Sequence, residues 1–226
     1  CFKRDFNLYL FYMRRMLNMD CYYYIFIDSK REKQLREIIE KFKFNIYKIK
    51  IVPIKIEDLI MYKYKDRISQ IMCDKSRLEK ASGDKDCPEF NIPDYNIVVN
   101  SKVDLVYRAS LDNPFNTTHF IWLDGGYGHG KVDVPRNWNP TALLTDKVCV
   151  VCRMKVEDIC DDRIEFFNKH LDVMIGGVFS VSSKNIEKYR ELFYKEVERC
   201  MNIGITDDDQ YTVALVLKNN PDLFKV

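Results

Sequence analysis

The sequence predicts an α/β chain folded as one domain over residues 1–226, with a mixed, mostly parallel sheet flanked by helices. Three observations predict it. Short apolar, β-branched and aromatic runs alternate with longer stretches in which apolar residues recur at helical spacing. The first complete unit reads strand, helix, strand, the building block of a parallel sheet. No glycine- or proline-rich linker divides the chain, and 226 residues suffice for one sizeable core.

Phe6, Leu10, Met13 and Leu17 predict a helix between Asp5 and Met19, and Tyr22 to Ile27 a buried strand ending at Asp28. Ser29 is placed to cap the next helix, whose Leu35, Ile38, Ile39 and Phe42 share a face, and Ile46 to Val52 alternates as a second strand. Glu57 to Leu78 reads as an interrupted helix. Residues 80–93, which mix glycine, prolines and charges without apolar period, read as an exposed flexible loop. Asn96 to Leu111 resumes a helix, with Val99, Val103, Val106 and Ser110 on one face, and Asn113-Pro114-Phe115 stops it. Strands follow at Phe120 to Leu123, Val148 to Val151 and Val173 to Val181. Ser183 to Met201 is a long amphipathic helix with Ile186, Tyr189, Phe193, Val197 and Cys200 as its buried stripe, and a short helix opens at Thr206 to Gln210.

Composition narrows the function classes. With 46% hydrophobic and 31% charged residues, and no apolar run near the roughly 18 residues of a membrane span, the chain reads as globular without a span. Basic and acidic side chains, 36 and 34, mingle along it, so no basic stripe points to nucleic acid. Eight scattered cysteines do not form a disulfide framework, which favours a reducing, cytoplasmic setting; Cys149 and Cys152 form a C-x-x-C inside an apolar run and read as strand cysteines. The acceptor pattern Asn116-Thr117-Thr118 directly precedes a core strand and carries little weight. The chain opens on Cys1, so the lack of a signal peptide proves nothing.

Three constellations can carry chemistry. In Trp122-Leu123-Asp124-Gly125-Gly126-Tyr127-Gly128-His129-Gly130 a strand ends in a carboxylate and then glycines, which let a backbone approach a ligand while Asp124 holds a hard cation; a plain glycine turn explains it equally. His129 is near enough in sequence to share that ligand, whereas His119 and His170 read as structural and solvent-exposed. Asp207-Asp208-Asp209-Gln210 is explained by a helix start capped by Thr206, yet three adjacent carboxylates repel, which raises the proton affinity of one and suits a general base. Gly176-Gly177 interrupts an apolar strand, which requires a bulge or a close ligand. Lys102 and Arg108, on the helix before Asp124, are within reach of a phosphate or else surface charges.

The order of these features is more specific than any one of them. Asn113 to Gly126 resembles the central signature of the HtrL/YibB-like family, which is similar in turn to glycosyltransferases of the GT-A fold; the resemblance extends through Ile175 to Phe179 and Asp208-Asp209-Gln210. It implies a GT-A-like domain lacking its first strand. It also implies that Asp124 is the first carboxylate of an Asp-x-Asp motif that binds manganese or magnesium with a nucleotide-sugar diphosphate, with Gly126 in the place of the second and His129 helping to hold the metal. Lys102, Gly125, Gly126, Gly176, Gly177 and Gln210 are then donor-binding, and Asp209, or failing that Asp208, the acceptor's base or the sugar-positioning group. The expected function is transfer of a sugar from a nucleotide diphosphate, UDP above all, to a hydroxyl of a glycan, protein or small molecule. The alternatives are a non-catalytic nucleotide-sugar-binding or interaction module, supported by Gly126, and a nucleotide-sugar hydrolase.

Overall fold

The computed structural model describes residues 5–74, 76, 79–82, 84, 86–127 and 139–226. It is a mixed α/β structure with two sheets. Strands β1 (Tyr23–Asp28) and β2 (Ile49–Ile54) pair in parallel. Strands β3 (His119–Leu123), β4 (Val148–Cys152), β5 (Met174–Ser182) and β6 (Phe224–Lys225) lie in the order β3-β5-β4-β6.

The expected mostly parallel sheet is therefore corrected. Central β5 runs antiparallel to both β3 and β4, and only the β1–β2 and β4–β6 pairs are parallel. Apolar periodicity shows that a segment is a strand, but its direction is set by where the connecting chain leaves it. Among the described residues β1 pairs only with β2, and β3 only with β5, so each keeps an unpaired edge, and both strands line one cleft.

The elements form where local chemistry puts them. The opening helix Phe6–Met16 is capped by Asp5, whose side chain accepts from the Asn7 N–H. The turn after β1 is capped by Asp28 and not by Ser29, and forms a single 3-10 turn before the helix Glu32–Lys41, which buries Leu35 and Ile39. Asn45 likewise caps the 3-10 turn that leads into β2. The predicted helix from Asn96 to Leu111 is two helices, Pro93–Val99 and Lys102–Asp112, broken at Asn100 and Ser101. Asn113 ends the second in a left-handed conformation (φ 34°) that asparagine tolerates. Its side chain then accepts from the Thr117 N–H and donates to the Thr117 carbonyl, which folds the chain directly into β3.

The segment 80–93 departs from a bare loop. It contains the helix Pro88–Asn91, whose Phe90 is buried against Phe167 and His170, and Ser82 binds the Asn168 and Lys169 carbonyls. A lone aromatic gave too little pattern to predict that anchor. His170 is correspondingly not a free surface residue: it closes the helix Arg163–Lys169 at φ 42° and packs on Phe90.

The main core lies between the four-stranded sheet and its helices. Val148, Val181, Tyr189, Phe193, Ile205 and Leu215 are fully buried within it, and Ile186, Tyr189, Phe193, Val197 and Cys200 form the predicted stripe on the helix Ile186–Asn202. Each large apolar side chain there contributes roughly 1.5–3 kcal/mol by leaving water. A smaller cluster of Leu17, Ile27, Leu35 and Ile39 joins the first two helices to β1 and β2. No helix among the described residues is long and apolar enough to cross a membrane.

Candidate functional site

The site sits at the carboxyl end of β3, beside the glycine pair of β5. The β3–β5 ladder continues one residue past the strand: the Asp124 N–H donates to the Gly177 carbonyl at 3.0 Å. That bond fixes Asp124 beside the glycine pair. Trp122, two residues earlier and hence on the same face of the strand, donates its Nε1–H to Asp124 Oδ1 at 2.7 Å.

The glycines are explained by close approach. Opposite Gly176 and Gly177 the β4–β5 register slips, with Val150 facing Phe179 and Cys152 facing Met174, so β5 bulges there as the glycine pair predicted. A Cβ on Gly176 would stand 2.7 Å from Gln210 Cγ, and one on Gly177 would stand 3.2 Å from the Tyr127 ring and 3.5 Å from Asp124 Oδ2. A side chain at Gly176 would force Gln210 to shift, and one at Gly177 would press on the Tyr127 ring.

The acidic triplet divides its labour. Asp208, and not Thr206, caps the helix Asp209–Asn219: its Oδ1 accepts from the Gln210 and Tyr211 N–H groups. Thr206 instead accepts from Asn96 Nδ2, and Asn100 Nδ2 donates to the Asp207 carbonyl, so the turn hangs on the helix Pro93–Val99. Asp207 receives the Asp208 N–H, and burial holds its carboxyl well above the ordinary range. Asp209, 6% exposed, turns inward toward β5. Burial pushes its carboxyl up to about 7, against the pull of Lys102.

Lys102 joins the two acids. Its residue is 5% exposed, and its Nζ lies 3.2 Å from Asp124 Oδ1, 3.0 Å from Asp209 Oδ2 and 2.9 Å from the Gly176 carbonyl. Burial alone would drive the ammonium to shed its proton, but Asp209 and Asp124 outweigh it, so its pKa is raised and the charge is permanent. Lys102 was expected to be a phosphate contact; in the fold its three N–H bonds are committed within the protein. Arg108 does not reach the site: its guanidinium lies over Phe26 and donates to the Asp58 carbonyl.

The cleft in front of these groups encloses about 2170 Å³, well above the roughly 300–1,000 Å³ of ordinary ligand pockets. Asp124, Lys102, Gly176, Gly177, Asp209 and Gln210 all line it. The Asp124 side chain, 42% exposed, is the carboxylate open to its solvent. Gly125 and Gly126 line it too, but their bareness serves the opening helix: a Cβ on Gly126 would stand 2.8 Å from the Tyr9 ring, and one on Gly125 would meet Met13. A side chain at Gly126 therefore requires the Tyr9 ring to shift.

His129, expected to hold a metal with Asp124, lies outside the described residues, as do Gly128 and Gly130. Among the described residues no group of three or more His, Cys, Asp or Glu side chains is arranged to hold a metal ion. The oxygens of Asp124 are engaged by Trp122 and Lys102, so the described residues do not fit a divalent ion shared by Asp124 and Asp209. Cys149 is buried and Cys152 half-buried in β4, both as free thiols.

Sequence reasoning named every charged member of the cluster but missed Trp122, Asn96 and Asn100. Period two along β3 could have found the first, since it puts Trp122 and Asp124 on one face. Two asparagines four apart on an otherwise apolar helix face could have found the others. No curated protein and no solved structure matched the chain. The model of the family described as "Bacterial protein of unknown function (HtrL_YibB)" nevertheless matches residues 1–226, and the chain belongs to that family.

Proposed function

We infer that the cleft binds a nucleotide diphosphate sugar, UDP-linked in the first instance, and that the protein is a GT-A-like glycosyltransferase acting on a hydroxyl acceptor. One observation carries this reading: Asp124, Lys102, the Gly176–Gly177 bulge and Asp209, drawn from four separate elements, converge on one large cleft at the carboxyl end of β3. Asp209 is the reactive carboxylate. With its pKa near 7 it is matched to taking a proton at neutral pH.

In the inverting form of the reaction Asp209 removes the acceptor hydroxyl proton and the freed oxygen pair attacks the anomeric carbon. The bond from that carbon to the diphosphate breaks, and its electron pair leaves on the diphosphate. In the retaining form Asp209 positions the donor sugar instead. Lys102 supplies positive charge beside the departing diphosphate, the bare backbone at Gly176 and Gly177 admits the sugar, and Gln210 orients it. Asp208 caps the helix that carries Asp209, and its neighbouring charge adds to the rise in the Asp209 proton affinity.

The test is calorimetric titration of UDP and UDP-sugars, followed by an assay of donor cleavage with and without sugar, peptide and small-molecule hydroxyl acceptors. Acceptor-dependent release of UDP is the expected result. Binding without release would favour the non-catalytic module, which the Tyr9 ring at Gly126 supports, and release independent of acceptor would favour the hydrolase. Absence of UDP binding would end the reading.

A further inference from the structure

We propose that the Lys102 ammonium is the resident cation of the site, occupying the position between Asp124 and Asp209 that a bridging divalent ion would need, so that these two carboxylates work without one. The geometry is that of a filled site. An ammonium has three donors, and Lys102 Nζ has three acceptor groups at 2.9–3.4 Å: the Asp124 carboxylate, the Asp209 carboxylate and the Gly176 carbonyl. Those separations belong to N–H···O bonds; magnesium draws carboxylate oxygens in to about 2.0–2.1 Å, and with the ammonium between them neither acid is free to move in.

Position and charge both exclude a second cation. Lys102 projects from the first turn of the helix Lys102–Asp112 with its side chain 6% exposed, and swinging out into the cleft would leave the Asp124 and Asp209 carboxylates without their cation. A divalent ion entering beside it would face an adjacent positive charge. The rest of the local structure agrees with a fixed ammonium. Trp122 holds Asp124 from its own strand, and the Gly176 carbonyl accepts the third Lys102 N–H. This inference stands on geometry and does not require the sugar-transfer reading.

Manganese titrated into the purified chain and followed by loss of the free-ion paramagnetic resonance signal tests it. The quantity read is the part of the binding that Asp124→Asn abolishes. We expect none in the wild type up to millimolar manganese, and a gain of at least about tenfold in affinity in Lys102→Met, where the two acids are left without their cation. Stoichiometric, Asp124-dependent manganese binding by the wild type overturns the proposal. So does a folded Lys102→Met that gains nothing, since the ammonium is then not what excludes the ion; where that variant does not fold, the wild type and Asp124→Asn decide alone. UDP affinity measured with and without manganese separates the two readings: equal affinities sustain both, manganese-dependent affinity overturns the resident cation alone, and absence of UDP binding overturns the sugar-transfer reading alone.

Discussion

The two sheets of this chain are built from equally apolar strands yet end in different states. Every residue of β5 from Phe179 to Ser182 is buried, with β3 and β4 on its two sides and helices against it, whereas most of β1 is only half-buried, although Tyr-Tyr-Ile-Phe-Ile is as hydrophobic as anything in the core. The difference is the neighbour. β5 has a strand on each edge; β1 has β2 on one edge and the cleft on the other. Apolar composition makes a strand, but pairing and cover decide whether it is rigid. The charged cluster follows the same division: Asp209 and Lys102 sit against β5, and the opening helix approaches the glycines after β3 through Tyr9, Tyr12 and Met13.

The largest effect expected on this contrast is at Asp209. Asp209→Asn should lower the proposed transferase turnover by roughly two or more orders of magnitude with no fall in melting temperature, because an amide fills the same space and still accepts from Lys102. Steady-state kinetics beside a thermal melt checks it. A variant that melts early yet turns over normally would return the residue to the structural side of the comparison.

The next effect is on stability against pH. The Asp209 carboxyl is raised from 3.8 to about 7 by burial, so the folded chain keeps a proton that the unfolded chain releases. The stability this contributes is fully present below 3.8 and is lost as pH rises through about 7. Asp209→Asn lacks that loss. Its stability relative to wild type should therefore improve by on the order of 1–4 kcal/mol between about pH 5 and about pH 9, read from denaturant titrations. In the wild type, kcat/KM should rise with pH through the same range as the base is freed. A pH-independent difference between the two proteins would place the titrating group elsewhere.

Third, Gly126→Asp installs the carboxylate that an Asp-x-Asp motif would carry, and should destabilise the chain by about 1–3 kcal/mol by crowding the Tyr9 ring. Tyr9→Ala in the same chain should recover part of that loss. Equal losses in the single and double variants would show that the opening helix does not bear on the strand end. The smallest effect is one of rate. Amides of β1 should exchange with solvent faster than those of β5, as judged by mass spectrometry of deuterium uptake, because one edge of β1 is unpaired among the described residues. Equal protection would mean that the open edge of β1 is covered in solution.

What the sequence determined by itself was local. Strands at Tyr23, His119, Val148 and Met174, the stripe of the helix Ile186–Asn202 and the break at Asn113 were legible because apolar periodicity and turn chemistry depend on residues a few positions apart. The roll of the site was legible too, since Asp124, Gly176, Gly177 and Asp209 each violate the pattern of the element that carries them. Only the tertiary structure decided the rest. Sheet direction depends on where chains cross, so a mostly parallel sheet became two sheets with an antiparallel centre. Of three adjacent aspartates, packing against Asn96 and Asn100 turned one toward the cap and one toward the cleft. Lys102 reads in sequence like any helix-surface lysine. It became a buried cation because its partners lie 22 and 107 residues away, and an ion pair's energy depends on distance in space and burial, to which separation along the chain is blind.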